Sequence, residues 1–164
     1  MSRYRPPRPA DSKLITKEGA ERLRAELDEL WRRKRPAVTS AVAEAAAQGD
    51  RSENAEYVYG KKQLAEIDRR IRFLRKRLDG MTVVDAPPTD TGRIYFGAWF
   101  ELEDEHGSRR ELRLVGPDEI GDDPRYVSMD SPLGRAVRSK AVGDELVVQA
   151  PDGEKWYAVT VVRY

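Results

Sequence analysis

The sequence has no cysteine and a single histidine among its 164 residues. The first absence excludes disulfides and thiolate metal sites, and agrees with a reducing cytosol. The second argues against a histidine-based catalytic machine. His106 sits in the polar turn Asp104-Glu105-His106-Gly107 and reads as an exposed loop residue. No apolar run approaches the ~18 residues that a membrane-spanning helix needs, and the N-terminus shows no signal-peptide core. The expectation is a cytoplasmic protein that does not touch membranes. No internal repeat is visible.

Charge, by contrast, is abundant: 36% of residues are charged against 39% hydrophobic, more than one compact core would require. A protruding helical element attached to a modest globular domain fits that balance better. The near-neutral total of +1 hides an asymmetry: residues 1–80 carry 20 Lys/Arg against 13 Asp/Glu, a net of +7, and residues 81–164 carry 10 against 16, a net of −6. The basic half is the one expected nearer to phosphates, although solvated helix faces would show the same bias.

Residues 1–12 hold Pro6, Pro7 and Pro9 among Arg3, Arg5 and Arg8 and predict a disordered basic tail. Residues 13–80 predict an antiparallel coiled-coil hairpin. In the first arm Leu23, Leu27, Leu30 or Trp31, Lys34, Val38, Val42 and Ala45 recur at three- or four-residue steps, with Thr16 as N-cap and Gly49 as the stop. Pro36 should kink that arm or loosen one turn. In the second arm Tyr57, Gly60, Leu64, Ile67, Ile71, Leu74 and Leu78 follow the alternating three-four spacing of a coiled-coil seam. Gly60 is its one weak position, suited to close helix approach. Arms of roughly 31 and 26 residues would be about 46 Å and 39 Å long.

Beyond Pro87-Pro88 the period changes, and residues 81–164 predict a second domain of antiparallel β-structure. Strands are expected at Arg93–Tyr95, Trp99–Glu103, Glu111–Val115, Tyr126–Ser128, Glu145–Ala150 and Trp156–Arg163. One short helix should open at Ser131-Pro132 and run to about Lys140. The fold class is therefore α+β.

The chemistry-bearing candidate is the hairpin tip, Gly49-Asp50-Arg51-Ser52-Glu53-Asn54-Ala55-Glu56-Tyr57. Asp50 and Glu53, three apart at the start of a helix, can lie on one face and share one Mg²⁺. They could not hold it tightly alone, because Mg²⁺ demands octahedral coordination and otherwise keeps its waters. Such a half-site makes sense if a partner supplies the remaining oxygens. The same Asp-x-x-Glu spacing is also a capping box with no function beyond the helix start.

The tip resembles that of the bacterial Gre transcript cleavage factors. Lys61-Lys62-Gln63-Leu64-Ala65-Glu66-Ile67-Asp68-Arg69-Arg70, Leu30-Trp31-Arg32 with Arg35-Pro36, and Phe96-Gly97-Ala98-Trp99 are similar to the GreB branch in particular. Val115-Gly116, Asp118-Glu119-Ile120 and Asp130-Ser131-Pro132-Leu133 continue the likeness, which spans about Leu14 to Tyr164. The resemblance implies a hairpin that enters the secondary channel of bacterial RNA polymerase, and an FKBP-like C-terminal domain that docks on a β′ coiled coil at the rim. It implies that Asp50 and Glu53 help hold a second Mg²⁺ and orient water for cleavage near the 3′ end of backtracked nascent RNA. The protein would then activate the polymerase's own RNase activity without being an enzyme itself, as a monomer found with polymerase at the nucleoid. Arg51, Ser52, Lys61 and Lys62 are the candidate RNA contacts. Asp130, Ser131, Pro132 and Leu133 are the candidate docking residues, or else simply a helix start with Leu133 buried beneath it. A Gre-like channel binder that inhibits without stimulating cleavage, and a coiled-coil adaptor with a merely capped tip, are the competing readings.

Overall fold

The computed structural model describes residues 11–51 and 53–164. The expected basic tail, apart from its last two residues, and Ser52 lie outside the described residues. The chain divides into two compact units, Glu18–Met81 and the remainder. Among the described residues no helix is long and apolar enough to cross a membrane.

The first unit is a helical hairpin. Its leading arm runs through α1 (Lys17–Glu29), a π-helical turn (Leu30–Lys34) and α2 (Arg35–Ala46), and its returning arm is α3 (Ala55–Asp79). The π turn is the structural answer to Pro36. Proline has no N–H to donate to the carbonyl four residues back, and its ring crowds that carbonyl. The helix widens just before it, where the Arg35 N–H reaches back five residues to the Leu30 carbonyl. The inserted residue shifts the helical phase and decides which of two neighbours enters the seam: Leu30 is buried and Trp31 is pushed out, 47% exposed.

Val38 and Ala45 of the first arm and Gly60, Ile67, Ile71 and Leu74 of the second are buried, as the heptad spacing predicts. Gly60 has a specific reason to lack a side chain. A Cβ there would stand 2.8 Å from Val42 Cγ2, closer than carbon atoms pack. Across the seam Arg35 Nε meets Asp68 Oδ1 at 2.7 Å. Arg70 grips Glu26 with two nitrogens, at 2.6 and 2.9 Å.

The second unit is a curled mixed sheet with one short helix. Five strands lie in the order β5-β4-β3-β7-β6: β3 (Trp99–Asp104), β4 (Arg109–Val115), β5 (Tyr126–Ser128), β6 (Glu145–Ala150) and β7 (Gly153–Arg163). Their pairing is antiparallel except between β4 and β5, which run parallel. That pair departs from the all-antiparallel expectation, because the connection between them crosses over through a 3₁₀ turn (Pro117–Glu119) instead of reversing in a hairpin. A register shift between Glu101 and Leu102 lets β7 bend across β3. Phe100, Leu102, Leu112, Leu114, Leu146 and Val159 form the core beneath α4 (Pro132–Val137), which contributes Val137.

Two differences from the sequence expectation concern the edges of elements. Arg93–Tyr95 forms no strand, only an isolated bridge from Arg93 to Ala141. Leu14–Thr16, expected at the threshold of the first arm, is a strand, β1, paired parallel with β2 (Thr82–Val84). Three-residue strands on either side of the whole hairpin leave no periodic signal, since their pairing is wholly non-local. Glu119 locks β1 in place. Its carboxylate is 1% exposed and accepts from the Thr16 N–H at 3.1 Å, from the Thr16 hydroxyl, and from the Gly116 N–H at 2.9 Å. A Cβ on Gly116 would run into the Leu14 carbonyl oxygen, so glycine is what allows β1 to lie so close.

Candidate functional site

The tip connects α2 to α3 through a loop in which Asp50, Arg51 and Glu53 are all exposed. The start of α3 lies later than the sequence suggests. Its first residue is Ala55 and its N-cap is Asn54, whose Oδ1 accepts from the Tyr57 N–H at 3.1 Å. The Asn54 amide also donates to the Ala45 carbonyl at 2.7 Å, tying the end of one arm to the start of the other. Asparagine does both because it carries an acceptor and a donor on one side chain. Asn54, and neither Asp50 nor Glu53, therefore occupies the N-cap position of α3. Asn54 was legible as a strong N-cap residue; the competing Asp-x-x-Glu spacing hid it.

Tyr57 is half-buried below the cap. The Arg51 guanidinium carbon lies 5.8 Å from its ring centroid and the Lys61 Nζ lies 5.5 Å from it. Two of the three candidate RNA-contact cations are thus gathered around one ring at the tip. Lys62 is exposed on the same helix. Tyr59, not singled out by the sequence, is 69% exposed one turn into α3; its place in the arm between two seam positions was the available signal.

Carboxylates suit a hard cation such as Mg²⁺, and Asp50 and Glu53 are both exposed in the tip loop. Among the described residues no group of three or more His, Asp or Glu side chains gathers to make a complete metal site. The tip can offer a partner two oxygen donors beside a cluster of positive charge.

The basic residues of α3 separate into two kinds. Arg70 is engaged by Glu26, and Arg75 lies over the Trp31 ring at 4.6 Å. Arg69, Arg72 and Lys76 are exposed.

In the second unit the residues 130–133 are built into their own turn. The Asp130 carboxylate accepts from the Ser12 N–H at 2.8 Å. Ser131 caps α4, with Oγ accepting from the Gly134 N–H at 3.0 Å and donating to the Ser128 carbonyl at 2.7 Å. Leu133 packs against the core. Pro132, at the first helical position, is the exposed member. On the sheet, Trp99 and Tyr126 meet edge to face at 6.2 Å. Arg125 and Arg163 lie over Trp99 at 4.6 and 5.0 Å. The hydrogen bond from Arg163, aided by Arg125, holds the Glu111 carboxyl below the usual carboxylate range.

Comparison with known proteins matches both units in order. Residues 13–83 fit the model for the N-terminal domain of the GreA/GreB transcription elongation factors, and residues 88–164 fit that for the C-terminal domain. The chain is 58% identical to transcription elongation factor GreB of Pseudomonas aeruginosa, over 100% of this chain and 98% of that protein. It is 54% identical to GreB of Yersinia pestis, over 94% and 91%. Among solved structures, GreA factor homolog 1 (Gfh1) of Thermus thermophilus is 27% identical over 92% of this chain and 98% of that one, with a TM-score of 0.42. With two domain models of one family matched in sequence order, and relatives identical at more than half of the aligned positions across nearly their whole length, the chain belongs to the GreA/GreB family of transcription elongation factors.

Proposed function

We propose that this chain binds bacterial RNA polymerase, inserts its hairpin into the secondary channel, and stimulates endonucleolytic cleavage of the 3′ end of backtracked nascent RNA. The observation that carries the reading is the tip: two exposed carboxylates beside a helix start that a different residue caps. Asn54, not Asp50 or Glu53, caps α3, and the exposure of the two acids leaves carboxylate surface accessible to a partner.

In this reading Asp50 and Glu53 present carboxylate oxygens to an Mg²⁺ whose other ligands come from polymerase carboxylates and RNA phosphate. When bound, that metal stabilises charge on the oxygens of an in-line phosphodiester displacement. One of the two carboxylates accepts a hydrogen bond from the attacking water and fixes its direction. Arg51 and Lys61, around Tyr57, neutralise phosphate charge next to the acids, with Lys62 and Ser52 as further RNA contacts. The reaction belongs to polymerase, and the chain is an activator without a complete active site of its own. Asp130, Ser131, Pro132 and Leu133 form the docking segment for the β′ coiled coil: Asp130, Ser131 and Leu133 hold the turn rigid and Pro132 presents the contact surface. The protein acts as a monomer in the bacterial cytoplasm, at the nucleoid wherever polymerase is transcribing.

The test is transcript cleavage in stalled, backtracked complexes with the double variant Asp50→Asn, Glu53→Gln. Both replacements keep size and polarity while removing charge. Cleavage should fall by orders of magnitude while polymerase binding is retained. Undiminished cleavage would refute metal donation, and a wild-type protein that binds yet blocks nucleotide addition without cleavage would establish the inhibitor reading.

A further inference from the structure

The strand register of the β-domain builds a hollow on the sheet face turned away from the core. Tyr157 packs against the core, so its neighbour Trp156 points to the opposite face, where it is 48% exposed. Ala158, two residues on, lies on that same face. It is paired with Glu103 of β3 on one side and with Glu145 of β6 on the other. A small side chain thus sits between two glutamates and next to an indole. Glu105, just past the end of β3, completes an open cleft of about 200 Å³ whose lining holds four acids and no cation. Two of those acids are occupied. Arg109 Nε lies 2.7 Å from Glu103 Oε2, and Asp104 accepts from the turn amides of His106 and Ser108, each at 2.9 Å. Glu105 and Glu145 are exposed, and among the described residues no ion pair engages either.

We propose that this hollow binds an arginine side chain in a basic segment of a protein partner, its guanidinium flat on Trp156 and its N–H groups directed at Glu105 and Glu145. Charge and shape select that occupant. Unneutralised carboxylates repel phosphate, and residues 81–164 as a whole carry a net charge of −6. The acids stand on separate strands, and among the described residues no three His, Asp or Glu side chains gather to hold a metal. A planar guanidinium with its fork of N–H donors can instead cover a ring and meet carboxylates at its edge. The cleft is smaller than the ~300 Å³ at which small-molecule pockets begin, which suits one long side chain. A second cleft, of about 360 Å³, shares Trp156 and Glu105 and continues past Glu154 and the Asp152–Lys155 pair. It gives the same segment room for another basic residue. The site is separate from the proposed docking segment at 130–133. Glu103 and Arg109 lie at one end of β4, and Val115 with Ser128 at the other. The seven residues of β4 put about 20 Å between the two ends, so both surfaces can be occupied at once. The proposal goes beyond polymerase binding and does not depend on it.

The test is an NMR titration of the isotope-labelled full chain, without polymerase, using the peptide acetyl-Ala-Arg-Ala-Arg-Ala-amide. The Trp156 indole N–H and the backbone amides of Glu105 and Ala158 should shift saturably, while the Trp31 and Trp99 indoles stay in place. The matching lysine peptide should bind about threefold more weakly, because an ammonium cannot stack and fork at once. Read at the Glu105 amide, Trp156→Ala should weaken arginine-peptide binding about fivefold or more, and Trp156→Phe less. Glu105→Gln with Glu145→Gln should weaken it as well and leave the fold intact, since both side chains are exposed. No saturable shift at millimolar peptide overturns the proposal. Equal affinity for the arginine and lysine peptides, unchanged by Trp156→Ala, overturns it too, by showing diffuse charge attraction only. Shifts centred on Trp99 instead of Trp156 would overturn it by placing the binding elsewhere on the sheet.

Discussion

Carboxylates stand near helix or strand starts in both units, and they are used in opposite ways. In the β-domain, Glu119 is buried with three donors aimed at its two oxygens, and Asp130 accepts the Ser12 N–H. Those acids organise backbone. At the hairpin tip Asp50 and Glu53 are exposed, and the backbone they might have capped is served by Asn54. The lesson is that an acid beside a helix start becomes a candidate for chemistry when another side chain has already satisfied the orphan amides.

The largest effect expected from this contrast is on activity. Asp50→Asn with Glu53→Gln should reduce RNA cleavage by orders of magnitude and leave thermal unfolding of the protein nearly unchanged, because Asn54 caps α3 and both replacements keep size and polarity. A clear drop in melting temperature would break the contrast, by showing that the tip acids are structural after all. The reverse behaviour is expected of Glu119→Ala. It would remove the buried carboxylate that accepts from the Thr16 N–H, the Thr16 hydroxyl and the Gly116 N–H, at a cost of about 2–4 kcal/mol. Denaturant unfolding measures this directly; a loss under 1 kcal/mol would show that water or a neighbour replaces the carboxylate.

Smaller effects sharpen the account of the tip. Asn54→Ala should cost about 1–2 kcal/mol through the lost cap. Asn54→Asp should recover only part of it, since aspartate accepts from the Tyr57 N–H but cannot donate to the Ala45 carbonyl. Full recovery would mean that the bridge between arms contributes nothing. Gly60→Ala is expected to lower hairpin stability by about 1 kcal/mol despite the better helix propensity of alanine, because the Val42 methyl is in the way and a β-branched side chain in a helix has one favoured rotamer. Adding Val42→Ala should cancel the clash and let Gly60→Ala become stabilising. Stabilisation by Gly60→Ala alone would show that the arms can separate there without penalty.

The hairpin was readable because its information is local. Ile67, Ile71 and Leu74 recur at the helical period, and the turn residues near Asp104 and Pro151 mark where strands reverse. The tip acids were readable as a pair for the same reason. Their surroundings were not. Whether Asp50 or Asn54 caps α3 depends on where the helix begins, and the Ala45 carbonyl that helps decide it lies across the loop. Likewise Leu30 and Trp31 were equal candidates for the seam until the π turn set the phase.

By itself the sequence determined an α-helical hairpin with an acidic and basic tip, a following β-rich domain with one short helix, and a likeness to the Gre factors strong enough to imply a role in transcription. Each of these follows from residue type at short spacing. The tertiary structure decided the parallel pairing of Leu14–Thr16 with Thr82–Val84, the parallel β4–β5 pair, the burial of Glu119, and the outward turn of Trp31. The first three depend on residues apart in the chain meeting in space, which leaves no periodic trace, and the last on a local π turn whose phase the residue spacing does not reveal.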